Sequence, residues 1–254
     1  MAAESSRPRF SPWLRREHAG VATSTALPNA RWPKVALQGL PAIVRPRERG
    51  YGTRSRGNYL ESRQKRALDV TAALTLLLML LPLLIIVALL VRGTSKGPVL
   101  FRQKRCGRNG QPFEIYKFRS MHVVPDEAVV QATRADPRVT SVGRFIRRSS
   151  IDELPQLLNV LQGHMSLIGP RPHAMAHDAF YGERIPHYSD RFVARPGLSG
   201  LAQVRGARGG TPQLSDMERR IDLDLDYIRN ASLALDLRII AATVREMMFS
   251  STAY

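Results

Sequence analysis

Residues 70–91 read VTAALTLLLMLLPLLIIVALLV, twenty-two consecutive positions without a charge. As an α-helix rising 1.5 Å per residue, this stretch reaches across a hydrocarbon core of about 30 Å. A soluble helix of that length normally keeps a polar stripe, and none is present here. The stretch is therefore expected inside a membrane. Lys65 and Arg66 precede it, and Arg92, Lys96, Arg102, Lys104 and Arg105 follow it. With basic residues on both flanks, the positive-inside rule gives a single crossing no orientation. Pro82 near the middle removes a helix hydrogen bond and favours a kink. Such a pattern suits a helix that enters and returns to the same face, while a kinked straight span stays open.

Upstream, residues 1–64 are rich in Arg, Pro, Gly and Ser, with twelve basic against four acidic residues, a net of +8. Without apolar periodicity such a tail cannot bury enough surface to order itself, and it is expected to be mostly disordered. Its arginines suit anionic lipid headgroups. A nucleic-acid arm is the competing reading, weakened because aromatic residues are not interleaved with the charges. The whole chain of 254 residues carries +17 and calls for an anionic partner. One cysteine, Cys106, excludes a disulfide framework or a cysteine metal cluster and points to a reducing compartment for the soluble part. No apolar leader stands at the N-terminus, so a cleavable signal is not expected.

Downstream, residues 99–103 and 113–118 alternate as two short strands around a Gly-Arg-Asn-Gly turn, and Lys117 and Arg119 are placed to face anionic lipid or substrate. Asp136-Pro137-Arg138 reads as a turn. Residues 149–161, SSIDELPQLLNVL, set two adjacent carboxylates, Asp152 and Glu153, ahead of an apolar run. Ser150 and Glu153 match a capping box, but Pro155 fits poorly deep in a helix capped there and shifts the expected start a residue or two later. Either way both acids are expected in the first helical turn, where the dipole favours negative charge. Arg144, Arg147 and Arg148 lie just before them. A carboxylate pair between arginines and a helix N-terminus suits phosphate chemistry; ordinary capping with surface ion pairs is the plain alternative. Gly169-Pro170-Arg171-Pro172 is a rigid loop that aims one arginine. His173, His177 and His187 lack an accompanying acidic pattern, which argues against zinc. Residues from 214 onward and 233–248 have helical apolar spacing, and Asp222, Asp224 and Asp226 are expected on solvated surface.

Together these motifs resemble the bacterial sugar transferase family, the monotopic polyprenyl-phosphate phosphoglycosyl transferases that begin exopolysaccharide and O-antigen assembly. The resemblance runs from about residue 65 to the C-terminus. It rests on Lys65-Arg66 with Asp69, Lys117-Phe118-Arg119-Ser120-Met121, Asp136-Pro137-Arg138, Asp152-Glu153-Leu154-Pro155-Gln156, Gly169-Pro170-Arg171-Pro172 and Arg195-Pro196-Gly197. The chain departs from the family in three places. Leu81-Pro82 stands where Ser-Pro is usual, His164 where Asp is usual after Gly163, and Arg205 where Asn often follows Gln203-Val204.

The resemblance implies a mixed α/β, mainly helical fold: a tail over 1–64, a re-entrant membrane helix over 65–96, and a small cytosolic catalytic domain over 97–254 with short strands and amphipathic helices. It implies Asp152 as the nucleophile and a magnesium ligand, with Glu153 as its dyad partner. Arg147 and Arg171 would contact phosphate and nucleotide, with Lys117 and Arg119 near the same site. Expected partners are a UDP-sugar, undecaprenyl phosphate, Mg²⁺ and lipids of the bacterial inner membrane, with no nucleic acid; a homo-oligomer stays open. Flanking arginines and the helix N-terminus are expected to lower the Asp152 pKa. Attack by Asp152 would release UMP and leave an aspartyl phosphosugar for the lipid phosphate. Two rivals stand beside this reading: a membrane-anchored, non-enzymatic binder of acidic polymer, and a single-span glycosyl transferase whose by-product would be UDP.

Overall fold

The computed structural model describes residues 31–33, 59–122, 128–130 and 136–249. β1 (Arg31–Pro33) pairs antiparallel with β4 (Ala128–Val130), strands for which the sequence carries no clear signal. The rest of residues 1–58 lies outside the described residues, and the expected disorder of the tail lies there with it. α1 (Arg63–Thr94) contains the apolar stretch and continues through Pro82 as one element. Ser62 opens it, its side chain accepting from the Lys65 amide at 3.1 Å. Among the described residues it is the one helix long and apolar enough to cross a membrane.

α1 is apolar on two sides. Leu74, Leu78, Leu81, Ile85 and Leu89 recur every three or four residues and stay exposed, while Ala73, Val87 and Val91 on another face are buried against the rest of the chain. Both ends are tied to that body. Lys65 donates to Asp236 (2.7 Å), Asp69 (3.3 Å) and the Ile168 carbonyl (3.2 Å), all out of water. Arg119 donates to Ser95 Oγ and to the carbonyls of Val91, Pro98 and Ser95, the last at 2.6 Å. A helix ends with carbonyls that lack an intrahelical donor, and this guanidinium supplies one.

The expected hairpin is present. β2 (Leu100–Cys106) and β3 (Pro112–Phe118) pair antiparallel, Leu100 opposite Phe118 and Cys106 opposite Pro112. Asn109 and Gly110 take φ of 54° and 74° in the turn, a left-handed bend that glycine and asparagine tolerate. Then come α2 (Ser141–Arg148), α3 (Gln156–Leu161), β5 (Ser166–Ile168) and α4 (Met175–Arg184). β6 (Gly197–Ser199) runs parallel to β5, followed by α5 (Leu201–Val204), α6 (Leu214–Asn230) and α7 (Leu233–Phe249). Leu157, Val160, Met165, Tyr188, Ile221 and Ile239 meet in one core, so α3, the two short parallel strands, α6 and α7 share an interior. The fold is mixed α/β, mostly helical, with a few short strands.

One surface expectation is overturned. Asp222 and Asp226 are exposed, but Asp224 is 2% exposed and accepts from Arg191 at 2.7 Å. Its position, three after Ile221 and four before Ile228, puts it on the buried face of α6, where a carboxylate needs a cationic partner.

Candidate active site

The two carboxylates do not sit in a helix capped by Ser150. Ser150 takes φ 58°, ψ 14° and its side chain makes no capping bond. Residues Ile151–Glu153 form a single 3₁₀ turn, and α3 begins only at Gln156, after Pro155. Proline accounts for the difference. It has no N–H to continue a helical ladder begun at 150, but it fits just ahead of the first helical position. Asp152 and Glu153 therefore ride on a tight turn packed between α2 and β3.

The two acids stand in different surroundings. Glu153 is fully engaged. Arg171 grips it bidentately, Nη1 to Oε2 at 3.0 Å and Nη2 to Oε1 at 2.6 Å, and Lys117 adds a bond to Oε1 at 2.8 Å. Burial pushes Glu153 up, but Arg171 and Lys117 outweigh it and hold the carboxyl well below the usual range. Asp152, partly buried, accepts a hydrogen bond from no side chain or amide among the described residues. Burial and then the adjacent Glu153 charge raise it to about 6, against the pull of Lys117, Arg147 and Arg171. The expected lowering is thus reversed, because the turn gives Asp152 neither a helix N-terminus nor a donor of its own. One acid is a fixed anion; its neighbour is an open carboxylate that ionises close to neutrality.

Lys117 and Arg171 are thus brought together at Glu153, and Arg147 lies close enough for its charge to act on Asp152. Arg119 is not part of this cluster. It is 5% exposed and donates to the end of α1, where it ties helix to hairpin.

Several supports of the site leave little trace in the sequence. Asn159, wholly buried in α3, accepts from the Tyr116 amide (3.0 Å) and donates to the Glu114 carbonyl (2.7 Å), which fixes the dyad turn against the strand carrying Lys117. Arg191 donates to the Arg171 carbonyl (2.5 Å), to Asp224 (2.7 Å) and to His173 Nδ1 (2.8 Å). Burial, with Arg191 beside it, holds His173 well below its usual pKa, so the ring is a neutral acceptor. Arg191 thereby fixes the backbone of the residue that clamps Glu153. The Gly-Pro-Arg-Pro loop is also wedged against the Arg195-Pro196-Gly197 loop, since a Cβ on Gly197 would collide with the Gly169 amide. Only Asp224, on the apolar face of α6, had a sequence signal that could have exposed this network.

An open carboxylate next to a set of guanidinium groups can attack phosphorus, provided cations reduce the repulsion between two anions. Comparison with known proteins identifies related chains. A family model described as bacterial sugar transferase matches residues 60–250. A relative from Caulobacter vibrioides, a UDP-glucose:undecaprenyl-phosphate glucose-1-phosphate transferase, is 55% identical over 192 residues, covering 75% of this chain and 72% of the relative. One of the same name from Escherichia coli is 49% identical over 191 residues, 75% of this chain and 41% of the relative. A UDP-N-acetylgalactosamine-undecaprenyl-phosphate N-acetylgalactosaminephosphotransferase from Aeromonas hydrophila is 43% identical over 185 residues, 72% of this chain and 43% of the relative. The chain spans less than half the length of the last two.

Proposed function

We propose, because this chain belongs to the bacterial sugar transferase family, that it moves a sugar-1-phosphate from a UDP-sugar to undecaprenyl phosphate and releases UMP, a first membrane step of exopolysaccharide or O-antigen synthesis. The observation that carries the reading is the unequal pair: an open Asp152 beside a Glu153 held by Arg171 and Lys117. UDP-glucose is the donor to try first, since relatives 55% and 49% identical are named for it.

In this reaction an Asp152 oxygen forms a bond to the phosphorus that carries the sugar. The bond from that phosphorus to the UMP oxygen breaks, and the electron pair leaves with UMP. An oxygen of undecaprenyl phosphate then attacks the same phosphorus and returns the carboxylate of Asp152. Arg171 holds Glu153 through two of its N–H groups, and Arg147 brings a second guanidinium toward the phosphate oxygens. Glu153 keeps Arg171 and Lys117 in place and keeps Asp152 from forming a dead-end ion pair with either.

Mg²⁺ fits these residues. No group of three or more His, Cys, Asp or Glu forms a cage among the described residues, but Mg²⁺ is commonly held by one or two carboxylates together with substrate phosphates. Asp152 is the carboxylate with oxygens to offer. When bound, the ion would neutralise diphosphate charge.

The helix belongs to the same proposal: α1 enters the inner membrane and returns, with the catalytic body on the cytoplasmic face. Its support is that Lys65 at one end and Val91 and Ser95 at the other are hydrogen-bonded to one body. A straight crossing would have to drag that charged body through the bilayer. Cysteines placed one at a time at Ser62 and Ser95 are expected to react with an impermeant thiol reagent from the same side of sealed vesicles; labelling from opposite sides would end the re-entrant reading.

The nucleotide released decides the chemistry. With UDP-glucose and undecaprenyl phosphate, UMP is expected in step with lipid-linked product. Release of UDP would instead mark a glycosyl transferase, and no turnover with any UDP-sugar would favour a binding protein.

A further inference from the structure

Residues 205–210 read Arg-Gly-Ala-Arg-Gly-Gly and connect α5 to the approach of α6. The segment is held firmly from beneath. Arg220 of α6, 7% exposed, donates Nε to the Ala207 carbonyl (2.8 Å) and Nη2 to the Gly209 carbonyl (2.5 Å). Like charges on Arg171 and Arg191 act on this same Arg220, which places the anchor beside the residue that clamps Glu153. Between the two anchored carbonyls stands Arg208, itself exposed.

Arg208 Nη2 donates to Ser150 Oγ at 2.6 Å. Ser150 is the left-handed residue two positions before Asp152. The backbone of segment 205–210 is thus fixed by a buried arginine, while the one cationic side chain between its anchors reaches the rim of the dyad turn. The contact it makes there is weak for an arginine. A single bond to a neutral hydroxyl uses one of five donors, whereas a phosphate accepts two at once with opposite charge. An anchored backbone under an exposed arginine also loses little freedom when the side chain engages a ligand.

We infer that Arg208 is a substrate-binding residue whose side chain releases Ser150 and holds the diphosphate of the donor nucleotide next to Asp152. The inference rests on the reading of the site as one for a nucleotide diphosphate sugar, and it adds a third arginine, from a different part of the chain, to Arg147 and Arg171. The contact with Ser150 is then the resting position of the side chain, given up when phosphate enters.

UDP is the probe, titrated calorimetrically into the full-length protein in nanodiscs. Arg208→Ala is expected to weaken UDP at least tenfold, about 1.4 kcal/mol. Ser150→Ala removes the resting partner and is expected to leave UDP affinity within twofold of the parent. The inference is overturned if Arg208→Ala binds UDP within twofold of the parent, or if Ser150→Ala weakens UDP as much as Arg208→Ala, because the bond would then be a structural staple. It is overturned as well if the parent protein binds no UDP. UMP release by the parent, measured in parallel, reports on the transfer reading separately. A parent that releases UMP while Arg208→Ala keeps its affinity sinks the inference alone; a parent that binds UDP through Arg208 yet releases no UMP sinks the transfer reading alone.

Discussion

Asp152→Asn is expected to lower the initial rate of UMP release by about 10³-fold or more, in the range found when a covalent nucleophile is removed. Asparagine matches aspartate in shape, and the carboxylate it replaces accepts no hydrogen bond among the described residues, so the turn loses no contact. What is lost is the charge and the lone pair that would attack phosphorus. The substitution also removes a negative charge beside Glu153, so without Mg²⁺ UDP should bind at least as tightly as before. The expected signature is therefore a collapse in kcat with Mg²⁺ present, while UDP binding measured without Mg²⁺ is retained. Parent-like turnover by Asp152→Asn would exclude attack by this residue.

The second large effect falls on Arg171. Arg171→Gln is expected to lower UMP release about 10²-fold, comparable to deleting one preorganised charged donor. It should also move the pH dependence. The working form of Asp152 is the anion, so in the parent the rate falls as pH drops through about 6. Arg171 pulls Asp152 down, and its loss lets the carboxyl rise further. The anion then appears only at higher pH, and the acid limb of the rate profile moves to the alkaline side. A limb that stayed in place, or moved toward acid, would remove Arg171 from the immediate field of the nucleophile.

Much of the architecture is legible in the sequence because it is written locally. The uncharged run of 70–91, the alternation around Gly-Arg-Asn-Gly and the spacing of Ile221, Leu225 and Ile228 each report on a single element, and the structure contains all three. The candidate dyad is legible for the same reason, as adjacent acids after a run of arginines. Its setting is not. Pro155 already argues in the sequence for a helix that starts later than a Ser150 cap, but not that both acids leave its first turn for a separate 3₁₀ turn. The difference between the two acids depends on Arg171 and Lys117, eighteen and thirty-six residues away in the chain. Arg119, two positions after Lys117, bonds instead to the end of α1, another partner that no short motif names. Networks closed by tertiary contact, such as Arg191 with Asp224 or Arg208 with Ser150, have partners 33 and 58 residues apart and leave no short motif to find.

A covalent link between Asp152 and a phosphosugar can be caught directly. Protein in nanodiscs that lack undecaprenyl phosphate, given UDP-glucose and Mg²⁺, should release close to one equivalent of UMP and stop. Mass spectrometry of the intact chain should then show one added hexose phosphate, carried on the peptide that contains Asp152. Subsequent addition of undecaprenyl phosphate should remove that adduct and yield lipid-linked sugar. An unmodified chain in a preparation that turns over normally with lipid present, or an adduct on any other residue, would contradict it.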